Sequence, residues 1–209
     1  MLKNLYRPNI VILLLIVFAS CQKEDLISPA NRSDNTSINA KKAVISRPYK
    51  DSFDTWYMFV PDVNNGWNPQ YGPVLAWYPG GGEGTCTHMG NSHTYFNQYV
   101  PLAPPPISSL PSPVTQFFST QLTQSGYPGI PNNVSTITYD DNGNSIWFYQ
   151  TSSVTTPVSE TRLTFVATAD IVGGTGKFEG AKGSTTIKGY LNPVDQSDAG
   201  FRSEGTIVY

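Results

Sequence analysis

The clearest periodicity lies in the last third of the chain, where apolar and small side chains alternate with polar ones. Leu163, Phe165, Ala167, Ala169 and Ile171 fall on one face of a strand. Thr185, Ile187, Gly189 and Leu191 share a face of the next, and Phe201, Ser203, Gly205, Ile207 and Tyr209 a face of the last. A period of two is the signature of a strand with one buried side, so three strands close the chain. Upstream, Thr136-Ile137-Thr138-Tyr139 and Ile146-Trp147-Phe148-Tyr149 flank Asp141-Asn142-Gly143-Asn144. Asn-Gly between two apolar runs predicts an antiparallel hairpin. Phe53, Trp56, Tyr57, Phe59 and Val60 form the first strand-like run of the domain, ending at Pro61-Asp62.

One stretch changes period. Pro101, Pro104, Pro105, Pro106, Pro111 and Pro113 predict an extended surface loop that neither a strand nor a helix can cross. Val114, Phe117, Phe118 and Leu122 then follow at helical spacing until Gly126, which predicts a short amphipathic helix over 113–124 with Ser112 as its cap and Pro113 in its first position.

The N-terminus carries an address. Lys3 and Arg7 precede an unbroken apolar run, Ile10 to Phe18, and small residues precede Cys21. The run is far short of the ~20 residues a membrane-spanning helix needs, so it reads as a secretion signal. Phe18-Ala19-Ser20-Cys21 resembles the lipobox of bacterial lipoproteins, with Phe18 where Leu is usual. That resemblance implies an acylated Cys21 at the mature N-terminus; the alternative is a plain cleavable signal. Gln22-Lys23-Glu24-Asp25 resembles the acidic export tag of Bacteroidetes surface lipoproteins. The implied location is the outer membrane, lipid-anchored and facing outward, with the periplasmic face as the alternative. The expected organisation is a signal peptide over 1–20, a flexible tether over 21–44 whose polar composition supports no packed core, and a folded domain over 45–209.

Composition sharpens the fold class. Of 209 residues, 18 are Gly and 17 Pro, and only 13% are charged, which favours an all-β domain over a helical bundle. With Lys3 and Arg7 removed, the mature chain carries a net charge of −4, so nucleic acid is not an expected partner. The charge is unevenly placed. Residues 51–161 hold seven acids, 18 aromatics and no Lys or Arg. Two readings follow: rings filling a β core with the carboxylates solvated outside, or a surface that stacks neutral sugars. For the second, Trp67 with Asn65 and Asn68 is the candidate site, in a loop marked by Gly66 and Pro69. Trp67 is expected to be the most exposed tryptophan, since Trp56, Trp77 and Trp147 lie in strand-like runs.

Gly173-Gly174-Thr175-Gly176-Lys177-Phe178-Glu179-Gly180-Ala181-Lys182-Gly183 joins two of the predicted strands. It reads as a tight connection built around a buried Phe178, and it matches neither the phosphate loop nor the dinucleotide-binding turn. The segment resembles one found in the allene oxide cyclase and dirigent group of eight-stranded β-barrels, particularly their exported bacterial relatives. Gly84-Thr85-Cys86-Thr87-His88-Met89-Gly90 matches a second segment of those relatives. The resemblance implies a single antiparallel barrel of about eight strands over 45–209, with the Pro-rich loop and helix as an insertion. It carries no catalytic residue onto this chain.

Glu83, Cys86, His88 and His93 cluster in sequence. Cys86 and His88, two apart, would share a strand face as metal ligands do, but a third ligand is not evident, and a structural role is the expectation over metal binding or a Cys-His nucleophile. With Cys21 acylated, Cys86 has no disulfide partner. No cofactor is expected. The functional expectation is a lipid-anchored binding or assembly module for a neutral glycan or an apolar small molecule, without catalysis; the alternative is a small cyclase- or isomerase-like enzyme using the barrel interior. An enzyme would need an ionisable group with a shifted pKa inside the barrel, which a binder does not.

Overall fold

The computed structural model describes residues 45–209 except Gly66, 69–71, Val74, Ala103 and Pro104; the side chains of residues 67, 68, 72 and 73 also lie outside the description. The expected signal peptide, Cys21, the export tag and the tether lie outside the described residues.

Eight strands form a closed antiparallel barrel. They are β1 (Ser46–Tyr57), β2 (Gly80–Cys86), β3 (Gly90–Phe96), β4 (Thr136–Tyr139), β5 (Ser145–Ser159), β6 (Arg162–Thr175), β7 (Lys182–Leu191) and β8 (Ala199–Val208). Each strand pairs with its neighbours in sequence, and β8 closes on β1 from Ser46↔Val208 to Thr55↔Ala199. Closure leaves no free edge along the paired lengths, which is how an all-β chain avoids edge-to-edge association. The hairpin predicted at Asn142-Gly143 is β4–β5, with Thr136↔Phe148 through Tyr139↔Ser145 in register.

Alternation decides what enters the barrel. Tyr49, Asp51, Phe53, Thr55 and Tyr57 of β1 are buried while Lys50, Asp54 and Trp56 are exposed. The three C-terminal faces predicted from alternation are the inward faces of β6, β7 and β8. One end of the barrel is packed shut by Tyr49, Cys86, Ile146, Ile171, Phe178 and Ile207. Phe178 sits in a single turn of 3-10 helix, Gly176–Phe178, and is wholly buried. Gly176 is required there: its φ of 61° is left-handed, and a Cβ would collide with the Asn144 side chain.

A second core lies outside the barrel wall. The helix α1 (Thr115–Gln124) lays Val114, Phe118 and Leu122 over Ile137, Tyr139 and the partly buried Tyr95, whose ring stacks on Phe118 at 4.4 Å. The helix begins later than predicted. Val114 is its N-cap, and Ser112 does not cap it: the Ser112 hydroxyl donates to Gln116 Oε1 at 3.0 Å, while the first backbone N–H groups find the carbonyls of Pro113 and Val114.

The Pro-rich segment also departs from its prediction as a plain surface loop. Ile107–Ser108 pairs with Thr155 and Val154 of β5, and Leu110–Pro111 pairs with Gln98 and Tyr99 in a small four-stranded sheet with 60–61 and 75–77. The cause is a mismatch in length. β4 has 4 residues and β5 has 15, so the far half of β5 would be an open edge without this strap. Pro111, the proline of the strap that enters a ladder, lies in the outermost strand of the small sheet, where a missing N–H is tolerated.

Candidate functional site

The barrel is packed shut at the Phe178 end. Inside it lies a partly enclosed cavity of about 320 Å³, at the small end of ligand-pocket sizes. Its mouth is aromatic and aliphatic: Tyr57 stacks on Tyr78 at 5.8 Å, Phe59 meets Tyr78 edge-on at 5.6 Å, and Leu163, Phe165 and Phe201 line the wall below. Small side chains on the inward face of β6, Ala167 and Ala169, leave the space that larger residues would fill.

At the floor the wall turns polar. Pairing sets Cys86, Asp51 and Ser203 side by side across β2, β1 and β8, all facing inward. The Tyr49 hydroxyl donates to Asp51 Oδ2 at 2.6 Å, and the Ser203 backbone N–H donates to Oδ1 at 2.9 Å. Burial pushes the Asp51 carboxyl above its ordinary range, against the pull of the Tyr49 and Ser203 hydrogen bonds. Burial also raises Tyr49 well above the usual phenol, helped by the neighbouring Asp51 and Cys86, and it raises the Cys86 thiol. Burial biases all three groups toward their neutral forms, but the Tyr49 proton is committed to Asp51, and of the three only Asp51 lines the cavity. None is an exposed thiolate, so Cys86 lacks the character of a nucleophile.

On the opposite wall, Thr138 of β4 lines the cavity, and its hydroxyl has no hydrogen-bond partner among the described residues. Nearby Gln98, Gln150 and Ser109 satisfy one another: Gln98 Nε2 donates to Gln150 Oε1 at 2.7 Å, Ser109 Oγ to Gln98 Oε1 at 2.7 Å, and Gln150 Nε2 to Ser109 Oγ at 3.1 Å.

The residues singled out in sequence are dispersed. Cys86 faces into the barrel floor, but β2 ends there and His88 lies in the turn beyond, its Nε2 within 2.8 Å of the Pro48 carbonyl and its ring edge-on to Tyr209. The shared strand face expected for Cys86 and His88 is therefore corrected: the turn at 87–89 breaks the parity that would have aligned them. His93 points outward from β3, between Glu83 at 3.8 Å and Asp141 at 3.5 Å. Among the described residues no group of three such side chains is placed to hold a metal.

Trp67 and Asn68 pair with Pro73 and Gly72 in a two-residue ladder, and their side chains lie outside the described residues. Asn65 is exposed, and its amide donates to Asp62 Oδ2 at 2.7 Å. Trp56 is 39% exposed because it stands on the outward parity of β1.

The acids of the cation-free stretch are not all solvated. Asp51, Asp62 and Asp140 are 7%, 1% and 3% exposed. The Asn65 amide, with the Tyr99 hydroxyl and the Asn64 N–H, holds Asp62 below the usual carboxylate range. For Asp140 burial alone would act upward, but hydrogen bonds from Asn144 and Asn142 outweigh it and hold it low. A buried carboxylate persists where backbone and amide donors surround it, so it needs no cation.

Asp51 and Thr138 were not marked by the sequence as functional. The signal for Asp51 was present: it is the one carboxylate on the inward parity of Tyr49, Phe53, Thr55 and Tyr57.

No protein-family model, curated protein or solved structure matches the chain.

Proposed function

We propose that this chain is a lipid-anchored surface protein whose barrel interior binds a small, largely apolar molecule, and that it is similar in architecture to the allene oxide cyclase and dirigent barrels. The observation that carries the binding reading is the cavity itself, partly enclosed and apolar along most of its wall. A β-barrel that only served as a scaffold would fill its interior with side chains. The location rests on the lipobox-like Cys21 and the acidic residues after it.

Binding is tested with a neutral fluorophore, N-phenyl-naphthylamine, whose emission rises in an apolar site. The chain is expected to bind it saturably, and Ala167→Phe, which places a ring in the cavity, is expected to weaken binding about tenfold or more without lowering the melting temperature. Equal binding by this variant would remove the interior as the site.

A second reading, a small cyclase- or isomerase-like enzyme, is favoured by Asp51, an ionisable group with a raised pKa facing the cavity. Recovery of the bound molecule separates the two. A binder returns it unchanged after long incubation, whereas an enzyme returns an isomer that Asp51→Asn no longer forms.

A further inference from the structure

The cavity distinguishes ligands by the charge of one end. Among its described lining residues there is no Lys, Arg or His, so an anionic headgroup at the floor would find no countercharge. It would also lie beside Asp51, and a buried unpaired charge is among the costliest things a protein can hold. A cationic head has Asp51 to meet, but both oxygens of that carboxyl are already engaged, by Tyr49 and by the Ser203 N–H.

What the cavity does offer is neutral hydrogen bonding. Thr138 presents a buried hydroxyl, 1% exposed, with no partner among the described residues. Leaving such a group unpaired in a dry site is unfavourable, and a ligand hydroxyl or carbonyl beside it would recover the bond. Gln98, Gln150 and Ser109 are already hydrogen-bonded to one another, so Thr138 is the lining group with the more to gain from a ligand head.

We propose that the barrel selects uncharged amphiphiles, molecules with an apolar body and a hydroxyl or carbonyl head placed at Thr138, over fatty anions and alkylammonium ions. This rests on the reading of the interior as a ligand site. Arg162 stands near the mouth, its guanidinium 3.9 Å over the ring of Tyr190, which lines the cavity. It marks the competing arrangement, an anionic head left at the mouth with its tail inside.

The test is calorimetric titration of the full chain as Cys21→Ser, which needs no detergent, with decanol, decanoate and decylammonium at neutral pH. Decanol is expected to bind at least about tenfold more tightly than either ion. Thr138→Val is expected to weaken decanol about fivefold and to leave N-phenyl-naphthylamine unaffected. The headgroup ranking uses the unaltered interior, so it stands whether or not that variant folds. Equal affinities for all three probes would overturn the proposal and leave the apolar cavity reading intact. Tightest binding of decanoate, lost in Arg162→Ala, would place the head at the mouth and overturn it. Tightest binding of decylammonium, lost in Asp51→Asn, would make the floor a cation site and overturn it. Failure of every probe, the naphthylamine included, would remove the binding reading as well.

Discussion

Phe178 closes the floor of the barrel, and replacing it tests whether that closure is a packed core. Its ring is 0% exposed and lies 4.7 Å from Tyr209 in an edge arrangement, within the cluster that includes Tyr49, Ile171 and Ile207. Phe178→Ala removes an apolar surface whose burial contributes about 2 kcal/mol. It also leaves a void of roughly 100 Å³; if half of it persists after relaxation, at about 24 cal/mol per Å³ the void adds a further ~1.2 kcal/mol. Losing the aromatic pair with Tyr209 brings the expected cost to about 3 to 5 kcal/mol. The void cannot easily collapse, because the segment is pinned by Gly176 against Asn144 and by the Ala181 N–H donating to the Phe178 carbonyl at 2.9 Å. Urea unfolding followed by tryptophan fluorescence measures the loss, and the melting temperature should drop by roughly 6 to 20 °C. Phe178→Leu, which keeps most of the volume, should cost less than half as much. A change within about 0.5 kcal/mol for the alanine variant would refute the assignment of Phe178 as the plug of the barrel.

Asp51 and Asp140 make opposite predictions about pH. Because burial raises Asp51, the folded state holds a proton the unfolded chain has released, and stability falls as pH rises from the ordinary carboxylate range through the raised value; Asp51→Asn should flatten that fall in urea midpoints taken across pH, and an unchanged slope would count against it. Asp140 is held low by donors at 2.9, 3.0 and 2.8 Å from Asn142 N, Asn144 N and Asn144 Nδ2, so its contribution is present above the ordinary range and lost as pH falls through its lowered value. Asp140→Ala should cost about 2 kcal/mol at neutral pH, and the deficit should shrink in acid; a pH-independent deficit would contradict the hydrogen-bond account. For the address, Cys21→Ser should move the protein from the membrane to the soluble fraction. Alanines at Lys23, Glu24 and Asp25 should leave it lipidated but shielded from an external protease, and continued accessibility would remove the export-tag reading.

The alternation of β6, β7 and β8, the Asn-Gly hairpin and the stripe of α1 were legible in the sequence because each depends on residues two to four positions apart. Phe178 was legible for a similar reason, as a lone ring among glycines in a short strand connection. What the sequence left open depends on partners far along the chain. Nothing local says that Thr55 meets Ala199, yet that pairing closes the barrel and gives β1 an inside. Only once β1 has an inside does Asp51 become the floor of a cavity, set between Cys86 and Ser203, while Trp56 becomes a surface ring. The turn after Cys86 separated it from His88 although they stand two residues apart. The strap over β5 was invisible because prolines argue against strands locally, and only the short β4 beside a long β5 creates the edge that recruits them. Periodicity in the chain thus decided which residues share a face. Barrel closure decided which face is the interior, and with it where a ligand can reside, because enclosure belongs to the complete ring of strands and to no single segment.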